Sequence, residues 1–108
     1  SMTTGQAPGG ITKDMHVNYY SRRAAGGVGL VMTEGVPPDH EWSFSSPDMP
    51  VFHSHGLEGW KRVCDAVHAE GGKIMPQIWH IGGVQYPTTP KDIPRTTPSG
   101  LIPLTLTP

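Results

Sequence analysis

The chain has 108 residues, among them 14 glycines and 12 prolines, so turns and irregular segments must take a large share of it. Eight basic against nine acidic residues leave a formal net charge of -1 with no basic run, which gives no electrostatic footing for nucleic acid or an anionic membrane. A single cysteine, Cys64, excludes an internal disulfide and any multi-cysteine zinc or iron–sulfur site within these residues. No apolar run approaches a bilayer span, and the N-terminus lacks a basic-then-apolar order, so a soluble, cytoplasmic protein is the expectation. Charged residues are only 16%, against a usual value of about 25%, which suits a chain whose surface largely faces protein.

Ser1 to Ile11 is a Gly- and Pro-containing lead-in. Thr12 then offers a hydroxyl as a helix N-cap, and Asp14 falls in the first turn, where the helix dipole favours negative charge. The expected helix runs from Lys13 to Ala25 with Val17, Tyr20 and Ala24 on its apolar side, and Gly26-Gly27 stops it. Val28 to Thr33 is a short apolar run bounded by glycine, which predicts a strand buried on both faces, as in a parallel sheet. Val36 to His55 is a long connection, and length of that kind is usually functional.

The clearest helix follows, with Leu57, Trp60, Val63, Cys64 and Val67 on one face and Gly71-Gly72 closing it. Lys73 to Trp79 reads as a second strand, with Pro76 expected near an end or a bulge because it cannot donate to a ladder. Two strands joined through a helix form a parallel unit, so the class is α/β. Leu30, Met32, Ile74 and Ile78 have few partners within so short a chain, and their exposed sheet needs covering from outside these residues. The stretch from Pro87 to Pro108 is a Pro-rich loop segment, in which Pro87-Thr88-Thr89-Pro90 matches the PxxP spacing read by SH3-type modules.

Ligands of α/β folds gather at the carboxyl ends of the strands, and both strands here end in polar residues. Gly35 would let backbone approach a flat ligand without a Cβ in the way, or is simply a turn glycine. Gln77 offers a donor and an acceptor together, which matches the edge of a uracil-like or flavin-like ring and equally suits a bridge within the sheet. Tyr20 is either a core ring with its hydroxyl at the rim or a phenol projecting into a site as a proton donor. His53, His55, His80 and Cys64 match no ligand spacing, so no metal is expected, and His16 and His68 are read as helix-surface residues.

Four pieces in order resemble the flavin-dependent ene-reductases of the Old Yellow Enzyme type. They are Tyr19-Tyr20-Ser21-Arg22-Arg23-Ala24, then Gly29 to Gly35, then Trp60-Lys61-Arg62-Val63 with Ala66-Val67-His68 and Gly71 to Ile74, and finally Gln77-Ile78-Trp79-His80-Ile81-Gly82. Ser1-Met2-Thr3-Thr4 looks like the end of that family's first strand, and Pro98-Ser99-Gly100 is again similar to the family. The resemblance implies the N-terminal third of a (β/α)8 TIM barrel, from the end of strand one to just after strand three. Residues 1–108 would then be a partial FMN-binding domain that contains the loop segment 87–108.

The resemblance also implies roles. Ser1, Met2 and Thr3 correspond to strand-one residues beside FMN, with the Thr3 hydroxyl near the reactive ring. Gly35 corresponds to a position whose backbone packs on the isoalloxazine, and Gln77 to the glutamine that pairs with its pyrimidine edge. Tyr20 and Trp79 correspond to residues that line the substrate pocket, Tyr20 also as a candidate catalytic group. Gly83 stands where the family usually has arginine. The implied activity is hydride transfer from NAD(P)H through FMN to the C=C bond of an α,β-unsaturated carbonyl compound. Alternatives are a dienoyl-CoA-reductase type with downstream Fe–S and FAD regions, or a non-catalytic barrel fragment or Pro-rich interaction protein. The expected partners are an activated alkene and either further copies of the chain or the remainder of the barrel.

Overall fold

The computed structural model describes residues 2–84, 92 and 94–101. Ser1, the Pro87-Thr88-Thr89-Pro90 motif and half of the segment after it lie outside the described residues. A 3-10 turn at Pro8–Gly10 precedes helix α1 (Asp14–Ala25), strand β1 (Leu30–Val36), a 3-10 turn at Ser54–Gly56, helix α2 (Leu57–Ala69) and strand β2 (Lys73–Ile78). The two strands pair in parallel, with Leu30 opposite Lys73 and Val36 opposite Ile78. No helix among the described residues is long and apolar enough to cross a membrane.

The ends of α1 differ in how the sequence specifies them. Thr12 is not its cap: Lys13 holds that position, and the Lys13 N–H donates to Nδ1 of His16 at 3.0 Å. Thr12 is buried instead, with its hydroxyl against Gly59 of α2, where a Cβ would overlap it. His16, expected on the surface, is 1% exposed, because its ring is drawn inward by that cap and by Glu34 beyond it. The C-terminus behaves as expected: Gly27 takes a positive φ of 98°, and Val28 N–H returns to the Arg23 carbonyl at 3.1 Å.

Tyr20 and Ala24 of α1, Val31 and Val36 of β1, and Trp60, Val63 and Val67 of α2 form the core, with Val17 and Ile74 packed against it. Gly72 brings the start of β2 against α1, since a Cβ there would lie 2.7 Å from that of Ala24. Leu57 departs from the expected apolar stripe: at the first position of α2 it stays outside the core cluster and largely exposed. The long connection is packed rather than loose. Its backbone bonds reach both the lead-in and the residues after β2, Ala7 N–H to Asp48 O at 3.1 Å and Ile81 N–H to Ser43 O at 3.1 Å. The Trp60 indole N–H donates to its Val51 carbonyl at 3.1 Å.

Two strand expectations need correction. β1 is not buried on both faces: Val31 and Thr33 turn inward to the helices while Leu30 is 55% and Met32 46% exposed. With Met75, opposite Met32, at 41%, these residues leave one sheet face apolar and open, because two strands and two helices can cover only one side; Ile74, expected to lack partners, instead packs against the core. Nor do Met2–Thr4 form a strand; they take no ladder partner among the described residues, and Thr4 is held by bonds to a side chain described below.

Trp60 supplies the largest buried ring and one loop anchor, which separates two contributions. Trp60→Ala is expected to cost about 3–5 kcal/mol of unfolding free energy by urea denaturation. Trp60→Phe keeps most of the packing but leaves the Val51 carbonyl without its donor, a loss of about 1–3 kcal/mol.

Candidate functional site

The strands converge on a β-bulge. Met32 pairs with Met75 and Gly35 with Gln77, so Thr33 and Glu34 together oppose the single residue Pro76. Proline is the reason: with no N–H to give, it breaks the ladder where the sequence placed it, and β1 absorbs the mismatch with one extra residue. The Thr33 side chain replaces the lost rung. Its hydroxyl accepts the Gln77 N–H at 3.1 Å and donates to the Glu34 carbonyl at 2.7 Å.

Beyond the bulge, three of the residues singled out by sequence come together. Gly35 lies beside Gln77 in register, and the Trp79 N–H continues the pairing to the Val36 carbonyl at 3.0 Å. Gly35 is buried, and what its missing side chain admits is the Trp79 ring, since a Cβ there would lie 2.9 Å from Cε3. Gln77 is half-buried rather than fully enclosed, and Trp79 keeps 39% of its surface exposed. Thr3 and Met2 are exposed, one and two residues from the Thr4 that binds at the end of β1.

Tyr20 goes elsewhere. Its ring is 2% exposed, 6.0 Å from that of Trp60, and its oxygen accepts the Glu34 N–H at 3.0 Å. Burial pushes its pKa up to about 12, so the phenol stays protonated. Of the two readings of Tyr20, the structure shows the core ring; it brings this hydroxyl to the backbone of β1 and not to an open surface.

Sequence reasoning missed the centre of this region, the Glu34 carboxylate. Although 2% exposed, Glu34 accepts the Thr4 N–H on Oε2 at 2.8 Å and the Thr4 hydroxyl on Oε1 at 2.9 Å, and faces Nε2 of His16 at 3.6 Å. Because Nδ1 of His16 accepts from Lys13, the neutral ring carries its proton on Nε2, pointing at the carboxylate. Burial holds the His16 pKa below the usual imidazole value of 6.5, against the opposing pull of Glu34. A signal was available: a glutamate between Thr33 and Gly35 interrupts an otherwise apolar strand.

The remaining histidines do not assemble as the metal pattern would need. His55 Nε2 lies 2.9 Å from the Gly9 carbonyl, and His53 is 3.7 Å from Asp39. His80 meets His40 of the long connection at 3.2 Å, while its Nδ1 accepts the Gly82 N–H at 2.8 Å. Cys64 is half-buried on α2. Among the described residues no three His, Cys, Asp or Glu side chains gather in a metal-holding group. At Gly83, where arginine was expected, Arg95 Nη1 lies 3.5 Å from the backbone carbonyl.

Comparison with known proteins places this geometry. The NADH:flavin oxidoreductase / NADH oxidase family matches residues 1–99. Flavin oxidoreductase hxnT of Emericella nidulans is 37% identical over 93 residues, covering 78% of this chain and 24% of that protein. 12-Oxophytodienoate reductase 7 of Oryza sativa subsp. japonica is 35% identical over 85 residues, covering 75% and 20%. The crystal structure of Old Yellow Enzyme from Pichia sp. AKU4542 superimposes with a TM-score of 0.70 at 26% identity, over 76% of this chain and 22% of that one. The chain thus spans about a fifth to a quarter of these relatives' length, less than the third that the sequence suggested, and its parallel α/β unit matches the N-terminal part of their barrel.

The buried imidazole gives a pH prediction. Unfolded His16 takes up its proton near 6.5, while the folded ring stays neutral to lower pH, so in that interval the unfolded chain binds more protons. Stability is therefore full above 6.5 and falls as pH is lowered through the interval towards the depressed folded value. His16→Asn, which keeps an acceptor for the Lys13 N–H, is expected to flatten this slope in urea unfolding measured across mildly acidic pH.

Proposed function

The chain belongs to the NADH:flavin oxidoreductase / NADH oxidase family, and on that premise we propose that the protein it forms part of is an FMN-dependent oxidoreductase acting on α,β-unsaturated carbonyl compounds. The observation that carries the reading is the meeting of Gly35, Gln77 and Trp79 at the carboxyl end of a parallel pair, reached by one bulge. That end of an α/β sheet is where side chains and loop amides can converge on a ligand.

The residues fit a flavin by their chemistry. The Gln77 amide carries a donor and an acceptor, as the alternating carbonyl and N–H groups of a pyrimidine edge require. The exposed Thr3 hydroxyl is a further donor that would serve the ring. Bound FMN would supply the redox chemistry, the transfer of hydride from NAD(P)H to an activated alkene, with Gln77 and Thr3 as the residues of this chain that would hold it.

This chain's own part is positioning. Gly35 acts through Trp79: lacking a Cβ, it admits the indole and so sets where that half-exposed ring stands as a wall for substrate. Leu30, Met32 and Met75 form the apolar sheet face that further strands of a barrel would cover, excluding water from its interior. Either those strands or a second copy of the chain supplies the cover, and the family favours the barrel.

The reading is tested on the protein at its natural length. It is expected to purify yellow, or to become so with added FMN, and to bleach with NAD(P)H in the absence of oxygen; failure to retain flavin after reconstitution overturns the proposal. Gln77→Ala should weaken FMN binding by about 1–3 kcal/mol, the cost of leaving polar ring atoms unpaired. Gln77→Glu should both weaken binding and lower the flavin potential, since a carboxylate repels reduced flavin's negative charge. Unchanged FMN titrations in both variants, with only thermal stability reduced, would assign Gln77 to the sheet instead.

A further inference from the structure

Glu34 is buried, polar and unused by the flavin reading, yet it sits one residue before Gly35 at the end of β1. A carboxylate taken out of water needs donors, and this one draws two of them from a single residue, Thr4. The Thr4 N–H reaches Oε2 at 2.8 Å and its hydroxyl reaches Oε1 at 2.9 Å. Two bonds to two oxygens fix the direction of Thr4 as well as its distance. Met2–Gln6 belongs to no strand, and Gly5 within it takes a positive φ of 63°, so regular structure does not hold this stretch in place.

The carboxylate in turn is fixed from the other side. The Glu34 N–H donates to the buried Tyr20 oxygen at 3.0 Å, its carbonyl accepts the Thr33 hydroxyl at 2.7 Å, and His16 Nε2 faces Oε1 from α1. We infer that Glu34 is a positioning residue, whose buried carboxylate pins Thr4 and thereby holds the adjacent Thr3 hydroxyl at the carboxyl end of β1. The functional half of this inference rests on the reading of Thr3 as a flavin-side residue. Thr3 is one peptide unit from Thr4, so a rotation of Thr4 about its backbone redirects the Thr3 side chain without any change in the core.

The test compares Glu34→Gln, Thr4→Val, Thr4→Ser and Thr3→Val in the natural-length protein. Amide hydrogen exchange at Thr4 is followed without flavin, and the flavin midpoint potential is measured after loading. Glu34→Gln keeps the size of the side chain but replaces one acceptor with a donor, and is expected to speed Thr4 exchange about tenfold or more. It should also shift the potential in the same direction as Thr3→Val. Thr4→Val leaves the carboxylate and the core intact and should give a smaller change of the same sign, while Thr4→Ser restores the parent values. Exchange that is unchanged in both Glu34→Gln and Thr4→Val overturns the anchoring. A potential that moves in Thr3→Val but not in Glu34→Gln or Thr4→Val overturns the positioning role while leaving the flavin reading of Thr3 standing. A potential unmoved in Thr3→Val overturns that reading of Thr3 and the functional half of the inference with it.

Discussion

Taking the Glu34 carboxylate out of water is costly unless each oxygen finds a donor, and the arrangement around the end of β1 is organised by meeting that demand. Thr4 supplies two donors from the lead-in, so the N-terminal segment lies against the strand end without being part of the sheet. His16 turns inward from α1 because its cap bond to Lys13 leaves Nε2–H directed at the same carboxylate. Tyr20 takes the Glu34 N–H that a bulged strand cannot return to a ladder. One residue thereby ties three successive segments, the lead-in, α1 and β1, to a single point.

The bulge is the second half of that constraint. Pro76 removes a ladder donor, Thr33 restores a bond to Gln77 with its hydroxyl, and the extra residue swings Gly35 into register with Gln77. Without the offset, alternation along β1 would turn Gly35 and Trp79 to different neighbours. The site end of the strands is therefore set by the chemistry of one imino acid and two polar side chains inside an otherwise apolar pair.

The sheet has two unlike faces, and this asymmetry links the low charge of the chain to its family. Val31 and Ile74 meet the helices, whereas Leu30, Met32 and Met75 remain open. The open apolar face and the 16% of charged residues go together with relatives of which this chain spans about a fifth to a quarter.

By itself the sequence determined the local and periodic features. The helices over Asp14–Ala25 and Leu57–Ala69, their glycine stops, the parallel strand pair and an end or bulge at Pro76 all follow from patterns a few residues long, where 3.6-residue spacing, left-handed glycine and a missing N–H act directly. The ordered motifs also sufficed to indicate the family. Only the tertiary structure decided what those patterns meet. That Tyr20 is a core ring, that Thr12 packs on Gly59 and leaves the cap to Lys13, that His16 is buried and that Met2–Thr4 make no strand depend on partners 14 to 47 positions away. Such pairings are invisible to spacing, because a hydroxyl, an imidazole or a carboxylate reads as surface until folding removes the water that would otherwise satisfy it.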